Sequence, residues 1–231
     1  MKAAMNARRR SGRNVCGWVF VAVLVVGWAC PRFVTPATAQ AGDRGEFTLL
    51  SGADTYAVER FTRTPNRLES ELRGPSLGRI QISAVIDPDE SVPELTLRFW
   101  PVDAAEGDPP NQSATITMRQ DTAVIAITSP PGINPQPLSS ARDAFVYMNP
   151  SFALMEQMIR RARAAGGASA SFPVFLAEGG ETANVSILNA TTDAVTVILG
   201  PIIDVVMDAE GHLLSASLQG QNLHVVRSDF P

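Results

Sequence analysis

The stretch R-I-Q-I-S-A-V-I-D-P-D-E-S-V-P-E-L-T-L-R-F-W, residues 79–100, decides the fold class. Ile80, Ile82, Ala84 and Ile86 alternate with Gln81, Ser83 and Val85, and Leu95, Leu97 and Phe99 repeat the period with Thr96 and Arg98 between them. Side chains that recur every second residue share one face of an extended chain, so each run is a strand with a greasy side. Asp87-Pro88-Asp89-Glu90 between them holds the residue types that reverse a chain. Two such runs joined by a turn make an antiparallel pair, not a strand-helix-strand unit.

Working outward, the same grammar recurs. Toward the N-terminus, residues 67–73 place Arg67, Glu69, Glu71 and Arg73 on one face. That row reads as a solvated ion-pair stripe, although two carboxylates on one face can also raise one another's pKa. In residues 56–61, Tyr56 and Val58 oppose Ala57, Glu59 and Phe61. If the second set faced the core, Glu59 would need a partner, with Arg98 and Arg119 as candidates by type; the expectation is that Glu59 lies outside. Toward the C-terminus, strands are predicted at 113–119, 122–128, 172–177, 182–189, 193–207, 212–219 and 222–227. Gln120-Asp121 and Asp208-Ala209-Glu210-Gly211 supply hairpin turns, Pro/Gly-rich loops fill 101–112 and 129–140, and Pro201 splits the run 193–207. In that run Val195, Val197 and Leu199 oppose Ile198, Ile202 and Val206, so both faces are apolar. Such a strand is covered twice or lines a cavity on one side, and ordinary core is the simpler reading.

One segment departs from period two. After Asn149-Pro150, Phe152, Met155, Met158, Ile159 and Ala162 recur at helical spacing, which predicts a helix over 150–165. Asn149 suits its cap and Pro150 its first position, Arg160, Arg161 and Arg163 complement the C-terminal dipole, and Gly166-Gly167 ends it. The predicted fold is therefore mainly β: a strongly curved antiparallel meander, half-barrel or barrel, with one amphipathic helix packed on or in it.

The chain begins with Lys2, Arg8, Arg9, Arg10 and Arg13, the apolar run Val15 to Ala29, and Ala37-Thr38-Ala39 before Gln40. This is the tripartite pattern of a secretory signal, with cleavage expected near Ala39. The run is shorter than the roughly 20 residues that span a bilayer, so cleavage is favoured over stable membrane insertion. Gly27-Trp28-Ala29-Cys30 offers a weaker rival, a lipid anchor on Cys30. The expectation is a signal at 1–39, a single β-rich domain over 40–231, and a periplasmic or extracellular location.

Cleavage there leaves 13 of the 19 basic residues against all 23 acidic ones, a net charge of −10. Such a surface repels phosphate backbones, so nucleic acid is excluded as a partner. Cys16 and Cys30 both precede the cleavage site, which removes disulfides and thiolate chemistry. Lys2 is the only lysine, which removes Schiff bases and Ser-Lys dyads. The two histidines, His212 and His224, fall on neighbouring C-terminal strands in this reading. Metal binding there would need Asp204 or Asp208 to converge on them, and no HExxH or Gly-x-Ser-x-Gly pattern is present. Asp87, Asp89 and Glu90 read as a turn and not as a calcium loop. No catalytic residue, metal or cofactor is assigned.

A curved meander interrupted by one helix, in an exported chain of this size, resembles the half-barrel carrier domains of the lipoprotein-localisation type. The resemblance covers the outline of the mature chain, without a quotable motif. It implies a concave apolar face able to hold a lipid-like ligand under the helix. The candidate lining is Phe152, Met155, Met158 and Ile159 on the helix with Val195, Val197 and Leu199 on the sheet. The alternatives are a small barrel enzyme, an isomerase or hydrolase pairing a carboxylate with His212 or His224, and an accessory interaction domain.

Overall fold

A computed structural model describes residues 42–129 and 131–228; the expected signal at 1–39 lies outside them. The described chain forms β1 (Asp43–Ser51), β2 (Asp54–Thr64), β3 (Arg67–Gly74), β4 (Gly78–Val85), β5 (Glu94–Trp100), β6 (Gln112–Arg119), β7 (Thr122–Ser129), β8 (Gln136–Ser139) and β9 (Phe145–Tyr147). Helix α1 (Phe152–Ala164) follows, then β10 (Ser169–Leu176), β11 (Glu181–Leu188), β12 (Ala194–Ile198), β13 (Ile202–Met207), β14 (Leu213–Leu218) and β15 (Leu223–Ser228). All fifteen strands belong to one sheet, ordered β8 through β1, then β15 down to β9. Two meanders thus meet where β1 pairs antiparallel with β15, Glu46 opposite Ser228 and Ser51 opposite Leu223. Only β9 with β10 is parallel among the described pairs.

Curvature has local causes. The ladders β1–β2, β6–β7 and β13–β14 each contain a register shift, and an extra residue in one strand bends it and increases its twist. No ladder is formed between β8 and β9; the two halves of the sheet meet there through single contacts, Ser140 Oγ just past β8 lying 2.8 Å from Thr182 Oγ1 of β11, and the Val146 N–H of β9 donating to the Val92 carbonyl of the β4–β5 connection. The fold is a curled, barrel-like antiparallel sheet around one helix.

Inside the curve, Phe47 and Leu49 of β1, Leu68 and Leu72 of β3, Ile80 and Ile82 of β4, Val195 and Val197 of β12 and Val225 of β15 join one buried cluster. The alternation read from residues 79–100 is the one observed, with Ile80, Ile82, Ala84, Leu95 and Leu97 all buried. Pro201 does separate two strands, and Asp208 to Gly211 does form a turn, closed by Gly211 N–H to the Asp208 carbonyl.

Other expectations change. Residues 43–51 carry a strand that the sequence reading left unassigned, β8 lies inside the expected loop 129–140, and β9 has three residues. The helix cap is Ser151, not Asn149: the Ser151 hydroxyl accepts the Leu154 N–H, and Pro150 stands before the cap. At the far end Gly166 takes a positive φ, as a helix stop requires.

The helix is also more enclosed than one apolar face would make it. Phe152 to Ile159 are all buried, including Glu156 and Gln157, and so is Ala162. It is a plug within the curved sheet. Among the described residues no helix is long and apolar enough to cross a membrane.

The run 194–206 resolves differently from the expectation of two covered faces. Val195, Val197, Ile203 and Val205 are buried, whereas Val206 and Val226 are each 48% exposed and Ile202 and Leu214 are also exposed. The outer side of β13–β15 presents these apolar side chains to solvent.

Candidate functional site

The site is organised by how the sheet receives α1. Because polar groups on a buried helix must find partners or forfeit hydration, the partners mark where it docks. At its N-terminus the partner is Glu59 of β2, fully buried, in contrast to the outward placement expected. Glu59 alternates inward with Ala57 and Phe61, while Tyr56 is exposed. Its carboxylate accepts Ser70 and Ser151 hydroxyls at 2.6 Å each, the Phe152 N–H at 2.7 Å and the Ala153 N–H at 3.1 Å. Arg98 and Arg119, the candidates by type for an inward Glu59, are both exposed. Burial pushes the Glu59 carboxyl above its ordinary range, and the Ser151, Ser70, Ala153 and Phe152 hydrogen bonds oppose that rise.

One turn further on, Glu156 is fully buried and takes the opposite solution, a cluster of cations. Arg63 of β2 donates to it, Arg227 of β15 lies 3.1 Å away, Arg160 lies 3.3 Å away, and the Leu213 N–H donates at 2.8 Å. Asp43 of β1 closes the cluster, 2.9 Å from Arg63 and 2.7 Å from Arg227. Burial alone would raise the Asp43 carboxyl, but Arg227, Arg63 and His212 outweigh it and hold it below the usual value. Gly45 leaves the space in which the Arg227 side chain passes Phe61, since a Cβ there would lie 3.0 Å from that ring and 3.1 Å from Arg227 Nε.

His212 sits in the turn before β14 and His224 within β15, so the two do not converge. His212 Nδ1 is 2.8 Å from Asp208 Oδ2, and the His212 N–H donates to Asp208 Oδ1 at 2.7 Å. Burial works against the lowering of the Asp208 carboxyl, but these His212 contacts prevail. Donor atoms of Asp208, Glu210 and His212 lie within 4.8 Å of one another, so this turn is where a cation could be held. Asp204 instead accepts from Gln219. Asp89 caps its own turn through Ser91, while Glu90 accepts from Gln157 of the helix.

Beside the helix N-terminus lies a cavity of about 320 Å³. Tyr147, Phe152 and Met155 form its inner wall, Leu199, Ile203 and Leu218 the facing wall, and Asn149, Glu178 and Gln221 its polar rim. These rim residues are exposed while Tyr147, Phe152, Met155 and Ile203 are buried, so the space runs from a wet mouth to an apolar floor. Burial raises the Tyr147 phenol pKa, and the Glu59 charge adds to the rise, which keeps the hydroxyl protonated. Of the residues singled out in the sequence, Phe152, Met155 and Leu199 line this space. Met158, Ile159, Val195 and Val197 are buried in the packing of the core and lie outside the lining. Tyr147, Leu176, Ile203, Leu218 and Leu223 were missed: β9 is too short to show a period, and the others belong to strands whose inward face only the ladder register reveals.

A larger depression, about 400 Å³, lies on the outer face of β2–β5 among Arg60, Glu69, Glu71, Gln81, Ser83 and Arg98. It takes in Glu69 and Glu71 of the charged stripe read from the sequence, which pair with Arg67 and Arg73 beside it. Side chains satisfied by one another and by water give a ligand little to gain, so the apolar cavity is the better candidate.

No protein-family profile matches the chain, and no curated protein matches it in sequence. Among solved structures it is similar to a DUF1089 family protein from Pseudomonas aeruginosa, at 14% identity over 73% of this chain and 92% of that one, with a TM-score of 0.48. It is also similar to a beta-barrel-like protein of the domain of unknown function DUF1849 from Brucella abortus, at 10% identity over 82% of this chain and 96% of that one, with a TM-score of 0.45.

Proposed function

We propose that the chain is an exported binding or carrier module that holds a hydrophobic, lipid-like ligand between α1 and the sheet. The observation that carries the reading is the apolar cavity of about 320 Å³ walled by Phe152 and Met155 on one side and Leu199, Ile203 and Leu218 on the other. Its size falls at the lower end of small-molecule sites, roughly 300–1,000 Å³. Its lining is mostly aliphatic and aromatic with a few polar groups at the mouth, the composition that binds by excluding water. The half-barrel carrier domains that the sequence outline resembles use the same kind of space, and the signal at 1–39 would deliver such a carrier to the periplasm or the exterior.

Purified protein should retain apolar molecules recoverable by solvent extraction, or take up the uncharged dye N-phenyl-1-naphthylamine with a rise in fluorescence. Leu199→Trp and Leu218→Trp, both at half-buried positions, should fill the space and abolish uptake while leaving thermal unfolding cooperative. A wild-type protein that neither carries nor takes up any apolar molecule would remove the proposal, as would uptake unchanged in both variants.

A further inference from the structure

We infer that the cavity selects amphiphiles with a cationic or uncharged hydrogen-bond-donating head and rejects anionic ones such as fatty-acid carboxylates. The inference rests on the carrier reading of the same cavity and adds the chemistry of its ligand.

Two independent features carry it. The first is the rim: among the described residues lining the cavity, Glu178 is the one charged side chain, and neither arginine nor histidine occurs. Its Oε2 faces the Asn149 N–H at 3.5 Å, and Gln221 completes the mouth. A head group emerging beside Glu178 therefore meets a carboxylate at the solvent-exposed mouth, where its attraction for a cation is modest and falls as salt is raised.

The second is the helix end. A helix N-terminus attracts anions because its first N–H groups lack intrahelical partners and its dipole is positive there. Here that attraction is already used. The Phe152 and Ala153 N–H groups donate to Glu59, the Leu154 N–H donates to the Ser151 hydroxyl, and the Met155 N–H donates to the Ser151 carbonyl. A carboxylate or phosphate entering past Phe152 would find no free donor at the helix. Both features point the same way, and the apolar floor supplies affinity that a chain of either head type would share. About 320 Å³ accommodates on the order of ten water-sized groups, enough for a medium alkyl chain.

The test is titration calorimetry of the full purified protein with three probes of equal chain length: decyltrimethylammonium, decanol and decanoate, each below its aggregation or solubility limit. Decyltrimethylammonium should bind at least about tenfold more tightly than decanoate, with decanol between them, and the gap should shrink as salt is raised. Glu178→Gln, at an exposed position, should narrow the gap by weakening the cation far more than decanol, whose hydroxyl can still donate to the amide oxygen. Decanoate binding as tightly as the cation, or a preference unmoved by Glu178→Gln, overturns the inference and leaves the carrier reading standing. Failure of all three probes in wild-type protein overturns both.

Discussion

Glu59 shows what a single residue decides. A carboxylate on an inward face has no apolar neighbour that tolerates it, yet here two hydroxyls and two backbone N–H groups converge on it. Glu59→Gln should cost about 3 kcal/mol, read as a lowered urea midpoint, because an amide nitrogen would be turned toward donors already in place. Asp43 sets a pH dependence. Its folded carboxyl titrates below the usual 3.8 of the unfolded chain, so between the two values unfolding takes up a proton. Its stabilisation is complete above that usual value and is lost as pH falls through the lowered one. Asp43→Asn should be less stable at neutral pH and show a shallower acid limb when unfolding is followed from about pH 6 to about pH 2. Neither role was legible beforehand. Alternation in residues 56–61 allowed two phases, and the donors that settle it come from Ser151 and Ser70, one of them 92 positions away.

At the scale of elements, the helix was legible and its surroundings were not. Its spacing of Phe152, Met155, Met158 and Ile159 is a local property, written in one stretch of chain. That Glu156 and Gln157 are also buried depends on Arg63, Arg227 and Glu90, which arrive from β2, β15 and the β4–β5 turn. Removing the charge with Glu156→Gln should cost about 3 kcal/mol, since Arg63 and Arg227 would remain buried with one acceptor fewer. Hydrogen exchange should then quicken across Phe152–Ala164 before it does in β4 and β5, as expected if the plug loosens while the wall holds. Met158→Ala, deep in the core, should cost about 2–5 kcal/mol without altering the ligand preference, because Met158 lies outside the cavity lining.

For the whole molecule, class and curvature were readable from repeated alternation and turn residues, because period two and Pro/Gly/Asp chemistry are visible in one dimension. Which strands become neighbours was not. Each hairpin announces itself, but nothing in residues 43–51 or 223–228 says that these two runs find each other across the length of the chain. The cavity shares that illegibility, since its walls come from β9, β10, β13, β14, β15 and the β12–β13 turn as well as the helix.

The junction of the outermost strands in the middle of the sheet means that the ends of the folded chain form a spine, not a fringe. A nick that frees a few residues at either extremity would split the wall down its centre, whereas a cut between Ser139 and Phe145 would fall where two borders merely touch. A circular permutant that links position 228 to position 43 and opens in 140–143 would turn the strand order into an unbroken sequential run. With its most distant pairing made local, it should refold faster than the parent in stopped-flow fluorescence, closing its wall one neighbour at a time.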